Sequence, residues 1–419
     1  MPSLRLKLLI AVNLLVLVVF TAWWSLGAAR TPDPVEPGTA LARLQGLKAD
    51  ANDVFGTAVA LSRDGRTLVV GADLEDGGQP DDASDNSMPG AGAAYVFEKG
   101  ESGWGEPVYL KAPMPWRGSG FGFAVALSED AQALAVAAPF ETGVVTGAVY
   151  LYRRGPDGGW IVADQLRGPD EVNHFGISLS MASSGTAISV GSLRADGRVQ
   201  AHNYAWRAGR WTPTGVVVAN LPAHDGAVPR LALSRDGQRL ALGSGASPRV
   251  ELFGFGIAGW QAEAPARTGE ITEAHVAALA MSDDGKTLAV ADATGRVDVL
   301  SDAAPGGWRT QVHLEGPAGA RLGQRVVLSS DGATLAVNAA GDAPSVYVFR
   351  RTGSQWRPLT PVQGTGPSGD LFGAAMALSG NGRLLAVGAR FGAASPGGLR
   401  GALGGGTVPA GAVNLYAPA

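Results

Sequence analysis

An all-β ring of seven four-stranded blades is predicted by three features of this 419-residue chain. The first is a pattern that returns seven times: a small-residue run, Leu-Ser-x-Asp-Gly or a variant, then a run such as Leu-Ala-Val-Gly-Ala. The second is its spacing. The turn residue recurs at Gly65, Ala131, Gly185, Gly237, Gly285, Gly332 and Gly382, in steps of 66, 54, 52, 48, 47 and 50. A period near fifty that holds about four strands marks a propeller blade. The third is a strand count that is one short at the C-terminus and made up at the N-terminus.

Within a repeat, the first strand is a small-residue segment such as Gly56 to Leu61, ending in an Asp-Gly or Asn-Gly turn. Those dipeptides accept the positive φ of tight hairpins. The second strand is a continuous apolar run, as in Leu134-Ala135-Val136-Ala137, which suits burial on both faces between neighbouring blades. The third has aromatic alternation, as in Ala94-Tyr95-Val96-Phe97 and Val149-Tyr150-Leu151-Tyr152. A Gly-rich hairpin then delivers Trp104, Trp160, Trp211, Trp260, Trp308 or Trp356 at the start of the fourth. There are six Trp strands for seven first strands, and the chain stops after Val413-Asn414-Leu415-Tyr416. The segment around Gly46-Leu47-Lys48-Ala49 mirrors Tyr109-Leu110-Lys111-Ala112, so an N-terminal strand is expected to complete the last blade and remove an open edge.

The ring occupies 41–419. Residues 1–29 read as a separate module, with Arg5 and Lys7 before an apolar run that ends at Trp23-Trp24. About twenty residues at 1.5 Å each cross a bilayer, so a transmembrane anchor is expected, with a cleaved signal segment as the competing reading. Residues 30–40, with Pro32, Pro34 and Pro37, read as an extended spacer. The propeller is therefore expected outside the bacterial cytoplasm, tethered to the inner membrane and facing the periplasm or cell exterior, or secreted after cleavage. The absence of cysteine excludes a lipidated anchor and structural disulfides. With 33 basic and 37 acidic residues, no basic bias points to nucleic acid.

Phe-Gly at 55–56, 121–122, 175–176 and 372–373, with Gly71-Ala72, Ala138-Pro139 and Gly388-Ala389 after second strands, resembles the FG-GAP repeat. The resemblance covers about residues 40–416, and copies four and five depart from it with Ala227-Val228 and His275-Val276. It implies a seven-bladed ring of the kind found in integrin α-subunits and bacterial surface proteins, with roles in extracytoplasmic binding. The family's calcium loop, Asp-x-Asp-x-Asp-Gly, is missing. Here the turn is Ser62-Arg63-Asp64-Gly65, too poor in oxygens for Ca²⁺, and its Ser and Asp read as turn caps.

No catalytic constellation is legible. The five histidines (174, 202, 224, 275, 313) form no His-x-x-His pair, no nucleophile motif is present, and no cofactor or metal is expected. Loop length carries the functional signal instead. The loop after the second strand of blade one holds Asp73, Glu75, Asp76, Asp81, Asp82 and Asp85. Its counterpart in blade seven begins Arg390-Phe391, and Trp116-Arg117 stand in the connection from blade one to two. Ring closure makes these loops neighbours, and loops on a rigid scaffold are where recognition residues gather. The reading is a non-catalytic binding scaffold for an envelope protein or a glycan, with this sector as its recognition surface. The alternative is a periplasmic lyase or hydrolase acting on a sugar or lactone, which needs carboxylates and a His converging at the channel mouth.

Overall fold

In the computed structural model, residues 38–47, 53–80, 82–141, 147–221, 228–263, 275–302, 307–316, 320–340, 345–364, 371–390 and 411–418 are described. Every regular element among them is a β-strand. The strands form seven antiparallel sheets, each following the order first, second, third, fourth from one edge to the other. The innermost strands are Ala58–Leu61, Ala124–Leu127, Val172–Met181, Pro229–Leu233, Val276–Met281, Arg321–Leu328 and Phe372–Leu378. The outermost strand is broken in two places, into Gly103–Trp104 and Val108–Leu110 in blade one and into Gln355–Pro358 and Val362–Gln363 in blade six.

Ala40–Leu44 pairs with Ala412–Tyr416 as the outer strand of blade seven, which closes the ring as expected. The closing strand lies a few residues before the Gly46–Ala49 segment that the repeat alignment singled out. Phe55, Val70 and Tyr95 of blade one pack with Val413 and Leu415 of blade seven in a core cluster, so the seam is filled like the other junctions. The N-terminal segment 1–29 and the spacer up to 37 lie outside the described residues. No helix among the described residues is long and apolar enough to cross a membrane.

The second strands are the best buried. Thr67–Ala72, Ala133–Ala138, Thr287–Asp292 and Leu385–Ala389 are buried along their whole length, which accounts for their unbroken apolar runs. Outer strands alternate, as in Arg309–Leu314, because only one face meets the next blade.

The turn between first and second strands is fixed by its own side chains. Ser62 Oγ donates to Asp64 Oδ1 at 2.6 Å and accepts from the Thr67 amide at 2.9 Å, while Asp64 accepts from the Arg66 amide. The same capping recurs at Ser128/Asp130, Ser234/Asp236, Ser282/Asp284, Ser329/Asp331 and Ser379/Asn381. Copy three has Ala182 in place of the serine. The caps do the work expected of them from sequence, and the carboxylates are occupied by it.

Candidate functional site

The connections between second and third strands, and from each fourth strand to the next blade, emerge on one face. In blade one this loop is a folded structure. Asp76 accepts from the Gly90 amide through Oδ1 and from the Met88 amide through its carbonyl, both at 2.8 Å. The amides of Gly118, Gly120 and Phe121 donate to the carbonyls of Pro89, Gly90 and Ala91, stitching the loop to the connection that follows.

This folding consumes most of the acidic side chains expected on a recognition surface. Glu75 is 2% exposed and accepts hydrogen bonds from Tyr109 Oη and Lys111 Nζ, both beneath the loop. Burial pushes the Lys111 ammonium below its ordinary range despite the Glu75 partner, and pushes the Tyr109 phenol up, with Glu75 adding to the rise. Glu75 therefore has no carboxylate to offer a partner. Blade two repeats the device with Glu141 and Tyr150, 2.8 Å apart. Asp85 accepts from Ser87 Oγ and the Gly78 amide, which hold its carboxyl below the usual range. Asp82 is exposed and caps Ser84.

Asp73 and Arg390 are brought together across the seam, with Arg390 Nη2 3.7 Å from Asp73 Oδ1. Asp73 is buried, and burial raises its pKa against the opposing pull of Arg390 and a hydrogen bond from Thr57. Trp116 and Arg117 are exposed on the blade-one-to-two connection. Asp81 and Phe391 lie outside the described residues.

Trp116 has apolar company that the sequence reading did not single out. It is 51% exposed, and Leu74, Met114 and Phe140 are exposed on the same face. The backbone keeps them close. The Ser119 amide donates to the Trp116 carbonyl, the Phe140 amide donates to the Ser119 carbonyl, and Gly120 lies between Phe140 and the Asp73 carbonyl. Leu74 and Phe140 hold the same place in blades one and two, three residues beyond Gly71 and Ala137, which was the available sequence signal. Phe140 also meets Phe123 and His174 edge-on at 5.3 and 5.6 Å.

The central channel has a volume of about 310 Å³ and is walled by residues of the inner strands, among them the half-buried Val59, Leu127, Leu179 and Met281 and the buried Met376. Its end opposite the loop face is plugged by charged side chains. They occupy the variable position after the capping serine: Arg63, Glu129, Ser183, Arg235, Asp283, Ser330 and Gly380. Glu129 Oε2 accepts from Arg63 and Arg235, each at 2.7 Å, and Arg235 lies 3.2 Å from Asp283. Ser183 donates to Asp283, Ser330 to Glu129, and Gly380 leaves the room they need, since a Cβ there would sit 2.5 Å from Glu129 Oε1. Beneath them the amides of Arg63, Glu129, Arg235, Asp283 and Ser330 each donate to the carbonyl of the matching residue one blade on. Burial raises the Asp283 pKa, and the Glu129 charge adds to the effect. Reading that one position down the seven copies would have found the plug, with its two cations and two anions.

Among the described residues no group of three or more His, Asp or Glu side chains is placed to hold a metal ion.

Seven blades, a velcro seam and Phe-Gly junctions define a β-propeller. Residues 40–97, from the closing strand through the core of blade one, match the model of the FG-GAP repeat. The chain is thus a seven-bladed β-propeller with an FG-GAP repeat in its first blade. No curated protein matches the chain. Solved structures of similar shape include the β-propeller domain of Cps50 (Swd1) from Myceliophteria thermophila, 13% identical, covering 90% of this chain and 100% of that one with a TM-score of 0.56. The periplasmic gluconolactonase PpgL of Pseudomonas aeruginosa is 21% identical over 72% of this chain and 85% of its own, with a TM-score of 0.53. A chain of the mitotic checkpoint complex is 15% identical, with coverages of 93% and 95% and a TM-score of 0.58. At these identities the likeness is one of fold.

Proposed function

We propose that this propeller is a non-catalytic binding scaffold that docks a protein or glycan of the cell envelope on the loop face of blades one and two. The observation that carries the reading is the set of Leu74, Met114, Trp116 and Phe140, exposed together with Arg117 on three successive loops that are hydrogen-bonded to one another. Exposed apolar groups that are adjacent and rigid, with an Arg beside a Trp, are the usual material of a binding hot spot. The apolar segment at residues 1–29 supports an envelope location, as anchor or export signal. A periplasmic gluconolactonase shares the fold, but at 21% identity that likeness transfers no residues to the sugar or lactone enzyme alternative.

A photo-crosslinking residue at position 116, introduced in the living cell, tests the reading. The matched control is position 257, where Ile257 is fully exposed on the hairpin between third and fourth strands of blade four, on the opposite face. A discrete adduct from 116 and none from 257 is expected. Equal or absent adducts at both would remove the case for this surface.

A further inference from the structure

The end of the channel that opens on the loop face carries three guanidinium groups. Four residues before the capping position, at the head of each inner strand, five copies hold Ala58, Ala124, Ser178, Ala278 and Ala375. The remaining two hold Arg230 and Arg325. The residues that follow them, Leu231 and Val326, line the channel, so both arginines stand at the loop-face edge of that lining. Blades four and six are not neighbours, since blade five lies between them. Arg230 is pushed down to about 10, first by burial and then by the charge of Arg325. Arg325 sits in a bulge of its strand between Leu322 and Val326, where residues leave the ladder and re-aim their side chains. Its Nε donates to the Ala374 carbonyl at 2.9 Å. Burial lowers its pKa, and the neighbouring charge of Arg390 lowers it further.

Arg390 completes the row. Asp73, its partner at 3.7 Å, is the one carboxylate set against the three cations among the described residues, which leaves an excess of two positive charges among them. Arg230 Nε and Arg390 Nε are buried with no hydrogen-bond partner among the described residues. A buried guanidinium N–H without an acceptor is unfavourable, and like charges facing each other add to the cost. An oxyanion relieves both costs, because guanidinium groups bind carboxylate and phosphate through paired N–H donors. Below the arginines lies the lumen of about 310 Å³, walled by apolar side chains of the inner strands and floored by the Arg63–Glu129–Arg235–Asp283 plug. That volume is at the small end of ligand pockets.

We propose that the loop-face mouth of the channel binds a small organic anion, its carboxylate or phosphate held by Arg230, Arg325 and Arg390 and its apolar body seated in the lumen. The chemistry requires an oxyanion on a compact apolar carrier. It does not depend on the docking surface of blades one and two, so either assignment can fail alone.

Titration calorimetry and thermal melting in phosphate-free buffer read this site. Hexanoate offers a carboxylate on an apolar chain, phenyl phosphate offers a phosphate on an apolar ring, and hexanamide is the uncharged control. At least one of the two anions is expected to bind and to raise the melting temperature with concentration, and which one does so identifies the headgroup. Hexanamide should do neither. Arg230→Gln and Arg325→Gln should each weaken binding at least about tenfold, the usual scale for losing a hydrogen bond to a charged group. Without ligand, Arg230→Gln should melt no lower than wild type, because it removes an uncompensated cation. A lower melting point would mean that the protein already satisfies Arg230, and would overturn the proposal. So would the absence of binding by both anions up to about 10 mM, a very weak affinity, or binding that both variants retain in full.

Discussion

Blades seven, one and two each place a glycine before the third strand, and blades three, four and five place an arginine there. Gly92, Gly147 and Gly411 lie so close to the next blade that a Cβ would stand 2.1, 2.3 and 1.8 Å from the carbonyl oxygens of Phe121, Phe175 and Phe55. The counterparts Arg198, Arg249 and Arg296 carry a long side chain at that position. Phe-Gly follows the same division. Phe55 packs on Tyr95, Phe121 on Tyr150 and Phe175 on His202, all edge-on within 5.2–5.5 Å. In blade five, where the Phe is His275, the third-strand aromatic is replaced by Asp298, buried and held by Arg296 and His313. In blade four the corresponding residue is Glu251. In blades four and five the phenylalanine, its aromatic partner and the glycine of the preceding blade are therefore lost together. The FG-GAP pattern is one inter-blade contact written in three places along the chain. Where the contact is relaxed, side chains fill the junction, as Val276 and Leu279 do against Gly243.

The strongest way to break this comparison is to give both kinds of blade the same residue. Gly92→Ala adds a Cβ against backbone at a φ of +78°, and neither strand can yield without opening the junction. The left-handed conformation alone costs about 1–2 kcal/mol for a side chain, and the overlap adds to it. A total loss above about 3 kcal/mol is expected, seen as a large fall in melting temperature. Arg198→Ala, at the equivalent site in blade three, removes an exposed pair with Asp196 and should cost less than about 1 kcal/mol. Similar losses from both would mean that the two sectors are not joined differently.

His202 sharpens the comparison through pH. It occupies the place of Tyr95 and Tyr150 beneath the third Phe-Gly, bonded to Ser192 Oγ and Gln200 Nε2, each at 3.0 Å. Burial pushes its pKa down to about 4, against about 6.5 in an unfolded chain. Between those values the unfolded chain holds the extra proton and the folded one does not, so stability must fall as pH drops from 6.5 to 4 and level off below. The contribution is about 3 kcal/mol if the shift is complete. His202→Tyr restores the aromatic of blades one and two, and Gln200 and Ser192 still bond each other. The variant should flatten the acid limb of a denaturation-versus-pH series over that window. An unchanged slope would place the titrating group elsewhere.

The ring, its seam and its turn caps were legible because each is repeated, and repetition is what a single sequence displays best. The closing strand, Ala40–Leu44, lies a few residues before Gly46–Ala49, the segment whose sequence copies the motif of blade one. The recognition sector was only half legible. Counting carboxylates put Glu75 on the surface, but a count cannot see that Tyr109 and Lys111, some thirty-five residues later, fold beneath it. The plug and the arginine mouth were missed for the opposite reason. Arg63, Glu129, Arg235, Asp283, Arg230 and Arg325 are scattered in sequence and converge only because the ring brings equivalent positions to one axis. Their signal lay in the exceptions to the repeat.

One exception remains within a blade that otherwise keeps the full pattern. The turn after each capping position has a glycine at φ +65° to +70° in six copies, while blade two has Ala131 at +53°. An alanine there carries the left-handed strain that glycine avoids. Ala131→Gly should stabilise the protein by about 1 kcal/mol less the extra freedom glycine gives the unfolded chain, a net gain of a few tenths to 1 kcal/mol. The reverse change in blade four, Gly237→Ala, adds both the strain and a Cβ 2.3 Å from that of Ala187, so it should be clearly destabilising. Melting temperatures of the two variants that move in the same direction would show that this turn does not set the stability of its blade.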